Sequence, residues 1–171
     1  MNLITIDFET FYSKDFSLSK MTTEAYVRDP LFEVIGVSVK VNNEATEWAS
    51  GTHEQLKEYF NGFDWKDSMV LAHNTMFDGA ILSWVFDIHP RVWADTLCMG
   101  RAVHGVEVGG SLKALAERYQ IGVKGTEVLD AKGKNRLDFT DEELDRYGDY
   151  CINDVELTYK LFGILGKKFP R

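Results

Sequence analysis

The chain has 171 residues, 44% of them hydrophobic and 27% charged, which excludes an intrinsically disordered polypeptide and suits one domain with a filled core. Lys and Arg number 19 against 27 Asp and Glu, a net charge of −8. That balance excludes a passive nucleic-acid binder, unless bound metal ions, a local basic patch or a partner supplies the positive charge. No apolar run is long enough to span a bilayer, and the start MNLITIDFET lacks the basic opening of a signal peptide. A cytoplasmic protein with no membrane partner is expected. Cys98 and Cys151 lie far apart, with no CxxC or Cys/His cluster. They read as reduced, mostly buried thiols, not as a disulfide framework or a zinc-finger site.

In chain order, Leu3 to Phe8 alternates and is rich in β-branched residues, which predicts a strand. Residues 11–30 are polar and irregular and read as a long loop. Val34 to Val41 alternates again, Asn42-Asn43 supplies a turn, and Glu44 to Ala49 completes an antiparallel hairpin. Thr52 and Gln55 form a capping box that opens a helix through Phe60. Ser68 to Ala72 is a short apolar run suited to a buried strand. A helix over 77–86, a strand over 91–94 closed by Asp95-Thr96, and a helix over 97–103 follow.

Ser111 caps an amphipathic helix carrying Leu112, Leu115, Ala116 and Tyr119 on one face, with Gly122 at its end. Residues 123–138 bear Gly and Lys without periodicity and read as a mobile loop. Thr140 and Glu143 open a last helix to about Leu165, with Ile152, Val155, Leu157 and Leu161 as its core stripe and Gly148 as a candidate break. Three leading strands followed by alternating strands and helices predict an α/β fold. The layout resembles that of ribonuclease H: a mixed five-stranded sheet flanked by helices, in a single domain over 1–171.

With 27 acids in the chain, pairs of acids are common, and position decides which matter. Asp7 and Glu9 stand at i and i+2 near the end of the first strand, on one face and roughly 6–7 Å apart along it. Two carboxylates on an inner sheet face cannot be satisfied by apolar packing. Asp78 falls in the first turn of a helix, where the helix dipole favours an acid. Tyr150 and Asp154 stand at i and i+4 on the last helix and share a face.

Together these form three ordered motifs: Asp-x-Glu (Asp7, Glu9, followed by Thr10), Asn-x-x-Phe-Asp (Asn74, Phe77, Asp78) and Tyr-x-x-x-Asp (Tyr150, Asp154). The set resembles that of the DEDD superfamily of 3′–5′ exonucleases, in the subclass with tyrosine in its third motif. A histidine-type member would carry His at position 149, where this chain has Asp149. The resemblance covers about residues 4–161. Asp95-Thr96 and the helix capped by Ser111 also look like features of the family. Within it, Asp7-Phe8-Glu9-Thr10 and the run FEVIGVSVKV over 32–41 are most similar to proofreading exonuclease domains of phage and bacterial DNA polymerases. No polymerase palm follows Leu165, so the expectation is a free-standing exonuclease or a domain cut from a longer chain.

The resemblance implies two Mg²⁺ or Mn²⁺ ions. Asp7 would bridge both, Glu9 and Asp154 would complete the first ion's shell, and Asp78 would hold the second through water. Tyr150 would orient the attacking water. Thr10, Asn74 and Phe77 are the implied contacts to the terminal nucleotide. Lys124, Lys132, Lys134 and Arg136 are candidates to meet phosphates, His73 reads as structural, and Trp48, Trp65, Trp84 and Trp93 as core and rim.

Like charges about 5 Å apart repel by roughly 3 kcal/mol at an effective dielectric near 20, so such a site needs cations. The implied substrate and partners are a single-stranded DNA 3′ end and a polymerase or other replication protein. An RNA 3′ end is the alternative substrate. A non-catalytic binding module is the alternative class, which the presence of all four acids and the tyrosine disfavours. A ribonuclease-H-type endonuclease is disfavoured by Tyr-x-x-x-Asp.

Overall fold

The computed structural model describes residues 1–125 and 131–170. Its strands are β1 (Asn2–Thr10), β2 (Val34–Val41), β3 (Glu47–Ser50), β4 (Ser68–Ala72) and β5 (Val92–Asp95). They form one sheet in the order β3-β2-β1-β4-β5, antiparallel across β3-β2-β1 and parallel across β1-β4-β5. The helices are α1 (Thr23–Val27), α2 (His53–Phe60), α3 (Thr75–Ala80), α4 (Thr96–His104), α5 (Leu112–Tyr119) and α6 (Asp141–Gly166). This is the mixed five-stranded sheet with flanking helices that the element order predicts. Among the described residues no helix is long and apolar enough to cross a membrane.

Strand β1 is central, so both of its faces are covered. Ile4, Ile6 and Phe8 enter a core with Tyr26 of α1, Leu56 and Phe60 of α2, and Ile81, Leu82 and Phe86 beyond α3. Rings dominate that core: Phe8 stacks on Phe86 at 6.2 Å between centroids and meets Phe60 edge-on at 6.0 Å. The residues between them, Thr5, Asp7 and Glu9, take the other face, which helix α6 covers.

Helix α6 runs 26 residues, and its N-terminal capping box is formed as predicted. Gly148 does not break it. A Cβ there would stand 2.5 Å from the Trp48 ring, and one at Gly36 would stand 2.3 Å from the same indole. The two glycines make the slot in which Trp48 lies between β2 and α6. The core stripe also differs: Ile152 is only half-buried, while Tyr147, Cys151, Val155 and Thr158 are buried. A separate cluster joins Leu157, Leu161 and Leu165 to Leu112, Leu115 and Ala116 of α5.

Other expectations shift. Helix α1 lies inside the segment read as a loop. Its five residues are too few for a period, and it is held by Tyr26 stacked on Phe16 at 4.6 Å. Strand β3 starts at Glu47, not Glu44. The predicted helix over 77–86 is α3 continued by a π-turn over Ile81–Val85, where the Phe86 N–H reaches the Ile81 carbonyl. Helix α5 ends at Gln120, which itself takes the left-handed conformation, and not at Gly122. Cys151 is buried, but Cys98 is exposed.

In the segment read as a mobile loop, residues 126–130 lie outside the described ones. Its later part is tied down: the Gly133 N–H bonds the Tyr12 carbonyl, Lys134 pairs with Glu143 at 3.0 Å, and Arg136–Asp138 forms a capped 3₁₀ turn.

Candidate active site

The site forms where β1 outruns β4. The β4 pairing covers β1 only from Asn2 to Thr5, so strand N–H groups beyond it need other partners. Asp78 supplies one: its Oδ1 accepts the Phe8 N–H at 2.9 Å. That bond lays motif two against motif one across 70 residues of chain. Asp95 in turn sets α3. Its carboxylate accepts the N–H groups of Asn74 (3.0 Å), Thr75 (3.1 Å) and Leu97 (2.8 Å), so one side chain caps both α3 and α4. Asn74 sits in the left-handed region at φ 75°, which turns the chain sharply from β4 into α3. His73 uses both ring nitrogens, on Thr96 Oγ1 and the Gly110 carbonyl, each at 2.8 Å. These bonds tie the end of β4 to α4 and to the Gly110 backbone, which supports the structural reading of His73.

Helix α6 brings the remaining groups. Tyr147, Cys151 and Asp154 recur at seven-residue reach on the face turned to β1, with Tyr150 beside them. Ligand atoms of Asp7, Glu9 and Cys151 all lie within 4.8 Å of one another. The Cys151 Sγ donates to the Asp7 carbonyl at 3.2 Å and lies 3.3 Å from Asp7 Oδ2. Tyr147 hydrogen-bonds Glu9. Lys124 reaches Asp154 Oδ2 at 2.8 Å, and its ammonium stands 5.6 Å from the centroid of the Tyr150 ring.

The carboxylates are held under electrostatic tension. Removal from water, and then the Asp154 charge, push the Asp7 pKa up to about 7. Burial and then Asp7 raise Glu9 and Asp78 well above the usual carboxylate range. Burial raises Asp154 too, although Lys124 opposes the shift. For Lys124, burial alone favours loss of its proton; Asp154 outweighs that and raises its pKa.

The residues fit hard divalent cations. Asp154 is 4% exposed, and its Oδ1 has no hydrogen-bond partner, although a buried carboxylate oxygen normally has one. Burial and then Asp7 push the Cys151 thiol well above its ordinary pKa; it is the one sulfur beside carboxylate oxygens of Asp7 and Glu9. Oxygen donors suit Mg²⁺.

The substrate contacts that the resemblance implies lie at the end of β1 and the start of α3. Thr10 is buried on the aromatic side of β1, and its hydroxyl pairs with Tyr26 at 2.8 Å. Phe77 is half-buried beside the Tyr26 ring. Asn74 stands at the start of α3. Of the four basic candidates, only Lys124 reaches the acids: Lys134 is paired with Glu143, Arg136 lies in the 3₁₀ turn, and Lys132 is exposed. Tyr147 and Cys151 were not among the predicted site residues. Their positions seven and three residues before Asp154 were the available signal.

A sequence profile described as 3′–5′ exonuclease matches residues 14–170. The chain belongs to the 3′–5′ exonuclease family. The match takes in Asn74, Phe77, Asp78, Tyr150 and Asp154 and begins after Asp7 and Glu9, which the fold itself adds to the site. Curated proteins give no match.

Among solved structures, the chain is similar to Brucella melitensis NrnC with bound Mg²⁺, at 15% identity and a TM-score of 0.63, over 96% of this chain and 72% of that one. It is also similar to Trypanosoma brucei RNase D in complex with RNA U12, at 14% identity and 0.68, over 95% and 55%. The catalytic core of RRP6 from Trypanosoma brucei matches at 13% identity and 0.65, over 95% and 40%. At these identities the likeness is one of fold, and the fold is ribonuclease-H-like.

Proposed function

We propose that this exonuclease is of the tyrosine type and removes nucleotides from single-stranded DNA 3′ ends as 5′-monophosphates, with two Mg²⁺ or Mn²⁺ ions. The observation that carries the reading is the convergence of Asp7, Glu9, Asp78 and Asp154 beside Tyr150, with Asp154 Oδ1 unpartnered. Asp7, Glu9, Asp78 and Asp154 would hold the ions. When bound, such ions supply an activated water and neutralise charge on the phosphate.

The chain's own groups do the rest. Burial and then Asp154 raise the Tyr150 pKa, so its hydroxyl stays protonated and orients the attacking water without serving as a base. Asn74 and Phe77 meet the terminal nucleotide, Phe77 by stacking on a base. Thr10 acts behind it, through Tyr26. A single strand suits the site because the terminal nucleotide must be splayed away from a complement to reach the half-buried Asp7 and Glu9 and the buried Asp78 and Asp154.

Proofreading beside a polymerase, in a phage or bacterial replication system and in the cytoplasm, is the setting we propose. RNA is the second reading. It is favoured by the similarity to an RNase D whose complex holds RNA U12.

The test is digestion of 5′-labelled single-stranded DNA and RNA oligonucleotides in Mg²⁺, Mn²⁺ or a chelator, with Asp7→Ala alongside. A ladder that shortens from the DNA 3′ end, absent in chelator and in Asp7→Ala, is expected. Preference for RNA would select the second reading. Cleavage of neither would contradict both.

A further inference from the structure

Cys151 lies inside motif three, between Tyr150 and Asp154, and hydrolysis with ions held by oxygen has no use for a sulfur. Yet helix α6 sets it against the acids. It is wholly buried, and its Sγ, an oxygen of Asp7 and an oxygen of Glu9 all lie within 4.8 Å of one another. Among the described residues no other three His, Cys, Asp or Glu side chains converge in this way.

The distances match one coordination geometry. A tetrahedral Zn²⁺ with sulfur at about 2.3 Å and a carboxylate oxygen at about 2.0 Å places those two donors about 3.5 Å apart. Cys151 Sγ stands 3.3 Å from Asp7 Oδ2, so little has to move for both to meet one ion. A second residue prepares the sulfur. Ser38 faces Asp7 across the β1–β2 ladder, so its side chain takes the sheet face that α6 covers. It is wholly buried beside Cys151, and its hydroxyl has no hydrogen-bond partner. Such an orphan is uncommon. A metal-bound thiolate at Cys151 would accept that hydroxyl, as outer groups steady the ligands of other metal sites. Asp154, one turn further along α6, likewise keeps Oδ1 unpaired.

We propose that Asp7, Glu9 and Cys151 form a mixed oxygen and sulfur site that takes a thiophilic divalent ion of the zinc class in place of Mg²⁺, which makes such ions inhibitors of this chain. It rests on the exonuclease reading of the acids and adds a ligand outside the motif positions. The exchange is balanced. The S–H bond breaks, a metal–sulfur bond forms, the proton leaves to water, and nothing is oxidised or reduced. Water fills the fourth position. Mg²⁺ prefers oxygen and leaves the sulfur alone. One pocket thus offers two sets of donors. Zn²⁺ held by the second set keeps Asp7 and Glu9 from the first.

The probe is Cd²⁺, whose thiolate complexes absorb in the ultraviolet. It is added to Cys98→Ser, so that the exposed thiol contributes nothing. A charge-transfer band is expected that saturates at one Cd²⁺ per chain, and the double variant Cys98→Ser, Cys151→Ser should lack it. Zn²⁺ affinity, read by competition, should fall at least about 100-fold in the double variant, one ligand's share of a four-ligand site. Mg²⁺ affinity, read by calorimetry, should stay within about 3-fold, since oxygens alone hold that ion. Melting curves in chelator verify that both proteins are folded.

A folded Cys98→Ser protein that binds Mg²⁺ but shows no band with Cd²⁺ would overturn the proposal, whatever the double variant does, and would leave the exonuclease reading standing. Equal losses of Zn²⁺ and Mg²⁺ affinity in the double variant would overturn it as well, because the cysteine would then hold the shape of the pocket and not the ion. A Cys98→Ser protein that binds none of the three ions would instead sink the exonuclease reading of the acids, and the proposal with it.

Discussion

On one face of β1, Ile4, Ile6 and Phe8 are 1%, 1% and 4% exposed and pack into an apolar, aromatic-rich core. On the other face, Asp7 and Glu9 alternate with them and meet Asp154, Tyr147, Cys151 and Asp78. The first face gains by burial at roughly 25 cal/mol per Å² of apolar surface. The second loses, since burial works against charged carboxylates. One strand thus supplies stability from its even residues and a cation-hungry pocket from its odd ones. The aromatic layer holds the strand in place; the acids strain against it.

If that division is right, the two faces respond oppositely to substitution. The largest effect is expected at Asp7. Asp7→Asn should lower turnover by at least about 10³-fold, read by single-turnover digestion. It should also raise the melting temperature in chelator, by about 2–4 °C, because repulsion among crowded carboxylates is removed. A variant that loses both activity and stability would break the comparison.

Phe8→Ala is its mirror. It should cost about 3–5 kcal/mol in denaturant unfolding, with turnover per folded molecule within about 10-fold of wild type. The Phe8 N–H that holds Asp78 is a backbone group and survives the change.

Gly148→Ala probes the contact between the faces. A Cβ 2.5 Å from the Trp48 ring should push α6 off the sheet, at about 1–3 kcal/mol. Activity should fall with it, because Tyr150 and Asp154 ride on α6. Trp48→Ala in the same chain should recover activity.

The smallest effect is on pH. The Asp7 pKa, raised to about 7 from 3.8, and the raised Glu9 and Asp78 mean that the folded protein binds more protons than the unfolded one between about pH 4 and 7. Stability then falls as pH rises through that window. Without metal, the melting temperature should decline from pH 5 to 7.5, and Asp7→Asn should flatten the decline. A wild-type curve that rises over that range, or a variant curve of equal slope, would contradict the assignment.

Much of this division is legible in the sequence. Alternation in β1 separates Ile4, Ile6 and Phe8 from Asp7 and Glu9, and the three motifs identify the acids before any fold is known. What escapes it is contact between distant segments. Lys124 meets Asp154 across 30 residues, and no local period announces that pairing. Gly148 reads as a helix breaker because its cost in a helix is local, whereas its purpose, room for Trp48, is tertiary. The segment over 123–138 reads as mobile because it bears Gly and Lys without periodicity, yet in its later part a backbone bond to Tyr12 and a pair with Glu143 hold it. Cys98 reads as buried from composition alone; it lies on the exposed side of α4.

The central claim is that the acid face is built for divalent cations. It is tested most directly by thermal melting of the wild-type protein and Asp7→Asn at pH 7.5, in chelator and in Mg²⁺. The account predicts that the variant melts higher in chelator, and that Mg²⁺ raises the wild-type protein by several times the shift it gives the variant. A Mg²⁺ shift equal in the two proteins, or absent from both, would contradict it.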